Sequence, residues 1–350
     1  MNAITIGVDL AKHIFHLHGV DAAGTVVIRQ KVRRDKLVAF FDSLPPALIG
    51  MEACASAHHW ARQLSASGHT VRLMPPAYVK PYVKRGKNDA ADAEAICEAV
   101  TRPTMRFVPI KSADQQSVLM LHRTRDLLIR QRTMLSNALR GHLAEFGIVA
   151  RQGVAGTGVL LEMIENEHEL IPPLAREALL AVVGQFRDLQ ARIGSLEGQI
   201  HSWHRSNEAS RRLESIPGIG PIIASALAAT VADPGAFSSG RQLAAWIGLV
   251  PRQNSSGGKD RLGRITKQGE PYLRRLLVIG AAAVLRFSKD RSSSLGACHG
   301  AARPETCHGR HGRTGQQIGS DRMGCSDARR CLPEHACRSL IRHCKRSSNG

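Results

Sequence analysis

The sequence predicts an α/β domain, then an all-α spacer, then a small and mainly helical domain. Three observations predict this. Between residues 4 and 100, apolar runs of strand length alternate with turn signals and short helical stretches. Residues 112–204 carry apolar side chains at helical spacing over two long runs. Residues 213–286 read as shorter helical pieces separated by turns rich in Gly and Pro.

In order, Ile4-Thr-Ile-Gly-Val-Asp9 reads as a short strand, followed by strands in 14–20 and 25–32. Asp21-Ala-Ala-Gly24 between the latter two is a hairpin signal. A helix is predicted over 34–44, ending before Pro45-Pro46 because the residue ahead of a proline avoids helical backbone angles. Residues 47–52 make a fourth strand, 57–67 a helix ended by Gly68, and 70–74 a fifth strand. After Pro75-Pro76 comes a basic loop with Lys80, Lys84, Arg85 and Lys87, then a helix over 90–100. Three meandering strands, helix, strand, helix, strand, helix is the ribonuclease-H-like order.

Four carboxylates fall at matched places in that order. Asp9 ends the first strand and Glu52 the fourth, while Asp89 and Asp92 open the last helix three residues apart, on one face. Singly, Asp9 would serve as a turn cap and Asp89 as a helix N-cap. Together they predict a convergent cluster. Clustered carboxylates repel one another unless a cation neutralises them, and hard oxygen donors favour Mg²⁺. Two such ions activate a nucleophile and stabilise a leaving oxygen at a phosphodiester.

The spacer is predicted as two long helices, 112–146 and 174–204, suited to an antiparallel coiled-coil hairpin, a dimer arm or an ordinary bundle. Arg123, Arg125, Arg130, Arg132 and Arg140 are interspersed along the first, as phosphate contacts or as a solvated face. In the last domain, Ile216-Pro-Gly-Ile-Gly220 ahead of an apolar helix resembles a helix-hairpin-helix turn, with Gly218 and Gly220 positioned to offer backbone amides to a phosphate. Its alternative is a plain helix–helix turn. A polar loop follows, Asn254-Ser-Ser-Gly-Gly-Lys259, within a basic stretch holding Arg252, Lys259, Arg261, Arg264 and Lys267. By composition alone this loop is a flexible linker, although a serine among cations is chemically able to attack a phosphodiester.

Composition narrows the partners. The 350 residues hold 48 Lys and Arg against 29 Asp and Glu, a net charge of +19, which points to a polyanion such as nucleic acid. With 43% hydrophobic residues, disorder of the whole chain is not expected. No apolar run is long enough to span a bilayer. The N-terminus has no basic region and carries Asp9 inside its apolar stretch, so no signal peptide is expected. The charge is uneven: residues 291–350 hold 11 Lys and Arg against 4 Asp and Glu, so +7 of the +19 lies there, with six of the eight Cys. Those cysteines are separated by 8, 17, 5, 5 and 6 residues, which fits no usual zinc-ligand pair. The tail is expected to be unstructured, as if read out of frame. Cys54 and Cys97 are expected to be buried thiols.

Ile6-Gly-Val-Asp-Leu-Ala-Lys12, Gly50-Met-Glu-Ala-Cys-Ala-Ser-Ala-His-His-Trp60 and Lys87-Asn-Asp-Ala-Ala-Asp-Ala93 resemble the insertion-sequence one-ten family of transposases, especially its eleven-eleven subgroup. Ile216–Gly220 and Gly248-Leu-Val-Pro-Arg252 with Ser255-Ser-Gly-Gly-Lys259 are similar to its second domain. The resemblance covers about residues 3–290. It implies a RuvC-like domain over 1–105, a coiled-coil spacer over 106–208, a transposase domain over 209–290, and the aberrant tail over 291–350. It implies catalytic acids Asp9, Glu52, Asp89 and Asp92 holding Mg²⁺. The implied nucleophile is Ser256, because the family's serine directly precedes glycine, with Ser255 in reserve. It also implies DNA ends and target as substrates, a structured guide RNA, and a homodimer or tetramer. Lys84, Arg85 and Lys87 join the two glycines and the later cations as nucleic-acid contacts. The expected location is the bacterial cytoplasm, at the nucleoid. The competing readings are a junction-resolving nuclease, needing the acids but not the serine, and a catalytically impaired nucleic-acid-binding remnant.

Overall fold

The structure is a computed structural model that describes residues 4–84, 89–259 and 261–288. The chain divides into two compact units, residues 1–116 and 117–350. Among the described residues no helix is long and apolar enough to cross a membrane.

The first unit is a mixed α/β structure. Its strands are β1 (Thr5–Asp9), β2 (Ile14–Val20), β3 (Val26–Arg33), β4 (Leu48–Glu52) and β5 (Thr70–Met74). They form one sheet in the order β3-β2-β1-β4-β5, antiparallel from β1 to β3 and parallel from β1 through β4 to β5. The helices are α1 (Leu37–Asp42), α2 (Ala57–Ala66), the single turn α3 (Pro76–Val79) and α4 (Asp89–Val100). Apolar side chains alternate along the strands, and one core gathers Ile6, Val8, Phe15, Leu17, Ile49 and Met51 with Phe41, Trp60 and Leu64.

On the other side of the sheet α4 lies almost flush against β1 and β4. Gly7 and Gly50 are register partners on those strands. A Cβ on Gly7 would strike the Ala93 carbonyl and the Cys97 backbone, and one on Gly50 would lie 2.8 Å from the Val100 Cβ. Two bare positions side by side are what let the helix sit this close. Cys97 is sealed there, its thiol donating to the Thr5 carbonyl and burial pushing its pKa up to about 11. Cys54 departs from expectation: it is exposed, because it lies just past the end of β4 in the turn leading to α2.

His69 joins α1 to the start of β4. Its Nδ1 accepts from the Ala47 N–H at 3.2 Å, so Nε2 carries the proton and donates to the Phe41 carbonyl at 3.1 Å. Substituting His69→Ala leaves the Ala47 N–H unpaired in a buried place and takes one of two bonds from the Phe41 carbonyl, which keeps the Leu44 N–H, and is expected to cost about 2 kcal/mol. Urea unfolding of the variant measures this, and an unchanged midpoint at unchanged slope would refute it.

The second unit is built on α5 (Ala113–Ala144) and α7 (Pro173–Ser206), with α6 (Val154–Glu165) between them in sequence. Arg125 pairs with Glu197 through two nitrogens and Arg132 with Gln190, while Leu139 and Leu143 share a core with Leu179 and Val183. Residue numbers rise on one helix as they fall on the other, so the two run antiparallel. Helix α6 was not anticipated from the sequence: its residues are apolar almost all round, which blurs any helical periodicity.

The remaining elements are α8 (Glu208–Glu214), α9 (Pro221–Thr230), α10 (Gly240–Ile247), the strands β6 (Pro251–Gln253) and β7 (Leu262–Ile265), and α11 (Pro271–Ser288). Leu213, Ile219, Leu227, Leu243, Ile247 and Leu273 form their core. His122 of α5 is buried between α9 and α11. Its Nε2 is 3.1 Å from Ser225 Oγ and its Nδ1 3.0 Å from the Tyr272 hydroxyl. The aberrant tail, Arg85 and Lys87 lie outside the described residues.

Candidate active site

Each acid is placed by a local rule. The β1–β4 register pairs Val8 with Met51, so Asp9 and Glu52 are the next residues along, at the same edge of the parallel pair. Asp89 and Asp92 form the first turn of α4, where a helix N-terminus favours negative charge. Because α4 rests on Gly7 and Gly50, that first turn arrives over the ends of β1 and β4. One carboxylate oxygen from each of Asp9, Asp89 and Asp92 falls within 4.8 Å of the others.

Glu52 lies outside that trio but feels it. Burial, then the charges of Asp9 and Asp92, hold its pKa above the usual carboxylate range. Asp9 is raised in the same way, by burial first and then by Asp92 and Asp89, with His16 and the Leu10 N–H pulling it back. Among the described residues, no Lys or Arg forms an ion pair with Asp9, Glu52, Asp89 or Asp92. Mutually repelling carboxylate oxygens are a donor set that fits a hard divalent ion.

His16 was missed by sequence reasoning. It pairs across the sheet with Asp9, and its Nε2 lies 3.5 Å from Asp89 Oδ2. Strand alternation relative to Asp9 was the signal that could have found it.

The serine loop is more ordered than its composition suggested. β6 and β7 pair as a β-hairpin, closed by Asn254 N–H to the Arg261 carbonyl at 2.8 Å and Lys259 N–H to the Ser256 carbonyl at 3.1 Å. Gly257 and Gly258 take φ of 56° and 76°, the positive pair that a tight two-residue hairpin turn demands. The linker expectation fails here because these two glycines act as turn residues. Ser255 Oγ accepts the Arg261 N–H at 3.1 Å. Ser256 sits at the tip, exposed, and its hydroxyl makes no hydrogen bond among the described residues. Arg252, Lys259, Arg261, Arg264 and Lys267 are all exposed, along the hairpin and just after it.

The other expected contacts divide. Gly220 is exposed at the start of α9, whereas Gly218 is packed against α11, where an added Cβ would lie 2.7 Å from the Gly280 carbonyl. Lys84 is spoken for: its Nζ is 2.5 Å from Glu94.

Two family models match the chain. One, of transposases, covers residues 6–148 and so contains all four acids; the other, described as the transposase IS116/IS110/IS902 family, covers residues 210–295 and contains the hairpin. A probable family 20 transposase of Pseudomonas aeruginosa is 51% identical over 296 residues, which is 84% of this chain and 88% of that protein. The chain belongs to the IS116/IS110/IS902 family of transposases. The transposase for insertion sequence element IS1328 of Yersinia enterocolitica is 43% identical over 84% of this chain and 87% of its own length. That for element IS1111A of Coxiella burnetii is 40% identical over 82% and 79%. In this transposase the second family model stops at residue 295, about where the composition changes.

Proposed function

We propose that this transposase excises and inserts its element by serine-mediated strand exchange at DNA phosphodiesters. Asp9, Glu52, Asp89 and Asp92 would hold Mg²⁺, and Ser256 would be the nucleophile. The observation that carries the reading is the convergence of Asp9, Asp89 and Asp92, in a member of a transposase family. The strand order β3-β2-β1-β4-β5 supports reading the first unit as ribonuclease-H-like. Mg²⁺, when bound, would supply charge neutralisation for a non-bridging phosphate oxygen and lower the cost of an oxygen nucleophile or leaving group.

The protein's own groups account for the rest. The Ser256 oxygen attacks phosphorus as one bridging P–O bond breaks, and the proton the serine gives up is balanced by the one the leaving oxygen takes up, so that one DNA end departs as a sugar hydroxyl. The other DNA end stays on the enzyme as a phosphoserine ester. A second sugar hydroxyl then attacks that ester, restoring the serine. Bond count is conserved, so no external energy source is needed. The cations at 252, 259, 261, 264 and 267 would offset phosphate charge and the charge that develops during attack. Target choice would rest on a guide RNA from the element, and the working assembly would be a homodimer or tetramer.

The test is an excision assay with the cognate element, its RNA and Mg²⁺. Ser256→Ala and Asp9→Ala are each expected to abolish joined product, a loss of at least about a thousandfold. Activity indifferent to both would sink the assignment. Cleavage that survives Ser256→Ala alone would leave a nuclease instead. An inactive chain restored by an in-frame sequence after about residue 296 would assign the inactivity to the tail.

A further inference from the structure

We propose that His16 is a positioning residue of the carboxylate cluster, holding the Asp89 side chain in the orientation that a metal ion requires. The inference deepens the metal-holding role proposed above and rests on it.

The face of the sheet beneath α4 carries two histidines, His16 and His18, alternate residues of β2 and both buried. They meet two different acids of α4. Near His18 is Glu94, whose charge is taken up by Lys84 at 2.5 Å and Arg29 at 3.6 Å. The Glu94 carboxyl is accordingly held below the usual range, first through its hydrogen bond to Lys84. That acid is already neutralised and serves structure.

Asp89 is in the opposite position. Among the described residues its ion-pair partner is His16 alone, and its side chain is 71% exposed. At 3.5 Å the imidazole lies against one Asp89 oxygen and limits where the carboxylate can swing, while the second oxygen and the formal charge stay available to a cation. His16 is in turn fixed by its place in the β1–β2 ladder opposite Asp9, another member of the trio. It is not itself one of the groups whose ligand atoms converge within 4.8 Å, so it acts through Asp89 rather than on the metal. Without such a hold, Asp89 is a mobile side chain on the opening turn of a helix. Ordering it on every binding event costs side-chain entropy.

Groups that orient a ligating residue typically contribute 10- to 100-fold to metal affinity. The experiment uses the full chain, titrated with MnCl₂ and with MgCl₂ by isothermal calorimetry, without DNA. His16→Phe fills the ring's space without a donor, and is expected to weaken Mn²⁺ binding at least about tenfold. His16→Gln returns an amide donor and is expected to recover most of that loss. Thermal unfolding of the metal-free variants shows whether either has lost its fold. Equal affinity in wild type and His16→Phe, with binding still lost in Asp9→Asn, would overturn the role of His16 and leave the metal site standing. Equal weakening in the Phe and Gln variants would also overturn it, since the loss would then be one of packing. Failure of the wild type to bind either ion would overturn the metal site and, with it, this inference.

Discussion

Gly7→Val should unfold the candidate active site without touching any of its acids. The side chain has no room, because an added Cβ already meets the Ala93 carbonyl and the Cys97 backbone, and these are fixed helical atoms. Relief requires α4 to rise off β1 or tilt, and either motion carries Asp89 and Asp92 away from Asp9. Overpacking of this kind costs about 3 kcal/mol. Two measurements check it: the urea midpoint should fall, and calorimetric Mn²⁺ binding should disappear even under conditions where the variant is folded. Gly141, on α5 with open space around it, provides the contrast and should accept Ala without loss. A Gly7→Val chain with native stability and native metal affinity would show that the close seating of α4 does not assemble the cluster.

The second large effect is a pH dependence located in the other unit. His122 is buried, and burial first, then the Arg125 charge, pushes its pKa down to about 4. Its bonding says the same. The Ser225 hydroxyl lies 2.7 Å from the Pro221 carbonyl and donates to it, so the serine oxygen accepts from His122 Nε2–H. Nδ1 is then left as an acceptor for the Tyr272 hydroxyl. A protonated imidazole would set two donors against each other at that hydroxyl.

The unfolded chain binds this proton near pH 6.5, so between pH 6.5 and 4 unfolding takes up a proton that the folded state refuses. The stabilising contribution is therefore complete above pH 6.5 and lost as pH falls towards 4, about 3 kcal/mol in all. Acid lowers the stability of the whole protein through many groups, so the quantity to follow is a difference. Wild type minus His122→Gln in unfolding free energy should decline by that amount from pH 7.5 to 4. A flat difference would mean that His122 is not held neutral.

Much of this architecture was legible because it is written in local patterns. Apolar runs of strand length between turn signals marked five strands, and the prolines at 45 and 46 marked where the preceding helix had to stop. The acids could be placed at strand ends and on a first helical turn from spacing alone. Other features escaped for identifiable reasons. Helix α6 is too uniformly apolar to show a face. The hairpin of β6 and β7 has short strands exposed at every position but Ile265, so it lacks the apolar-polar alternation by which strands are recognised. Its turn was visible only as Gly257-Gly258, which composition reads equally well as a linker. Cys54 was misjudged because burial depends on what packs over a turn, and nothing in the neighbouring residues encodes that.

What the sequence determined by itself, then, is the set of elements and the chemistry each carries: acids at the ends of β1 and β4, acids opening α4, a serine beside two glycines amid cations. What only the tertiary structure decided is which of these meet. Gly7 and Gly50 become a floor for α4 because parallel pairing sets them side by side, although they stand 43 positions apart in the chain. His16 reaches Asp89, and His122 reaches Ser225 and Tyr272, through the same kind of long-range registration. The physical reason is one of range. Propensity and periodicity act over a few residues, whereas desolvation, mutual repulsion of carboxylates and close packing act between whichever residues the fold brings within a few ångströms.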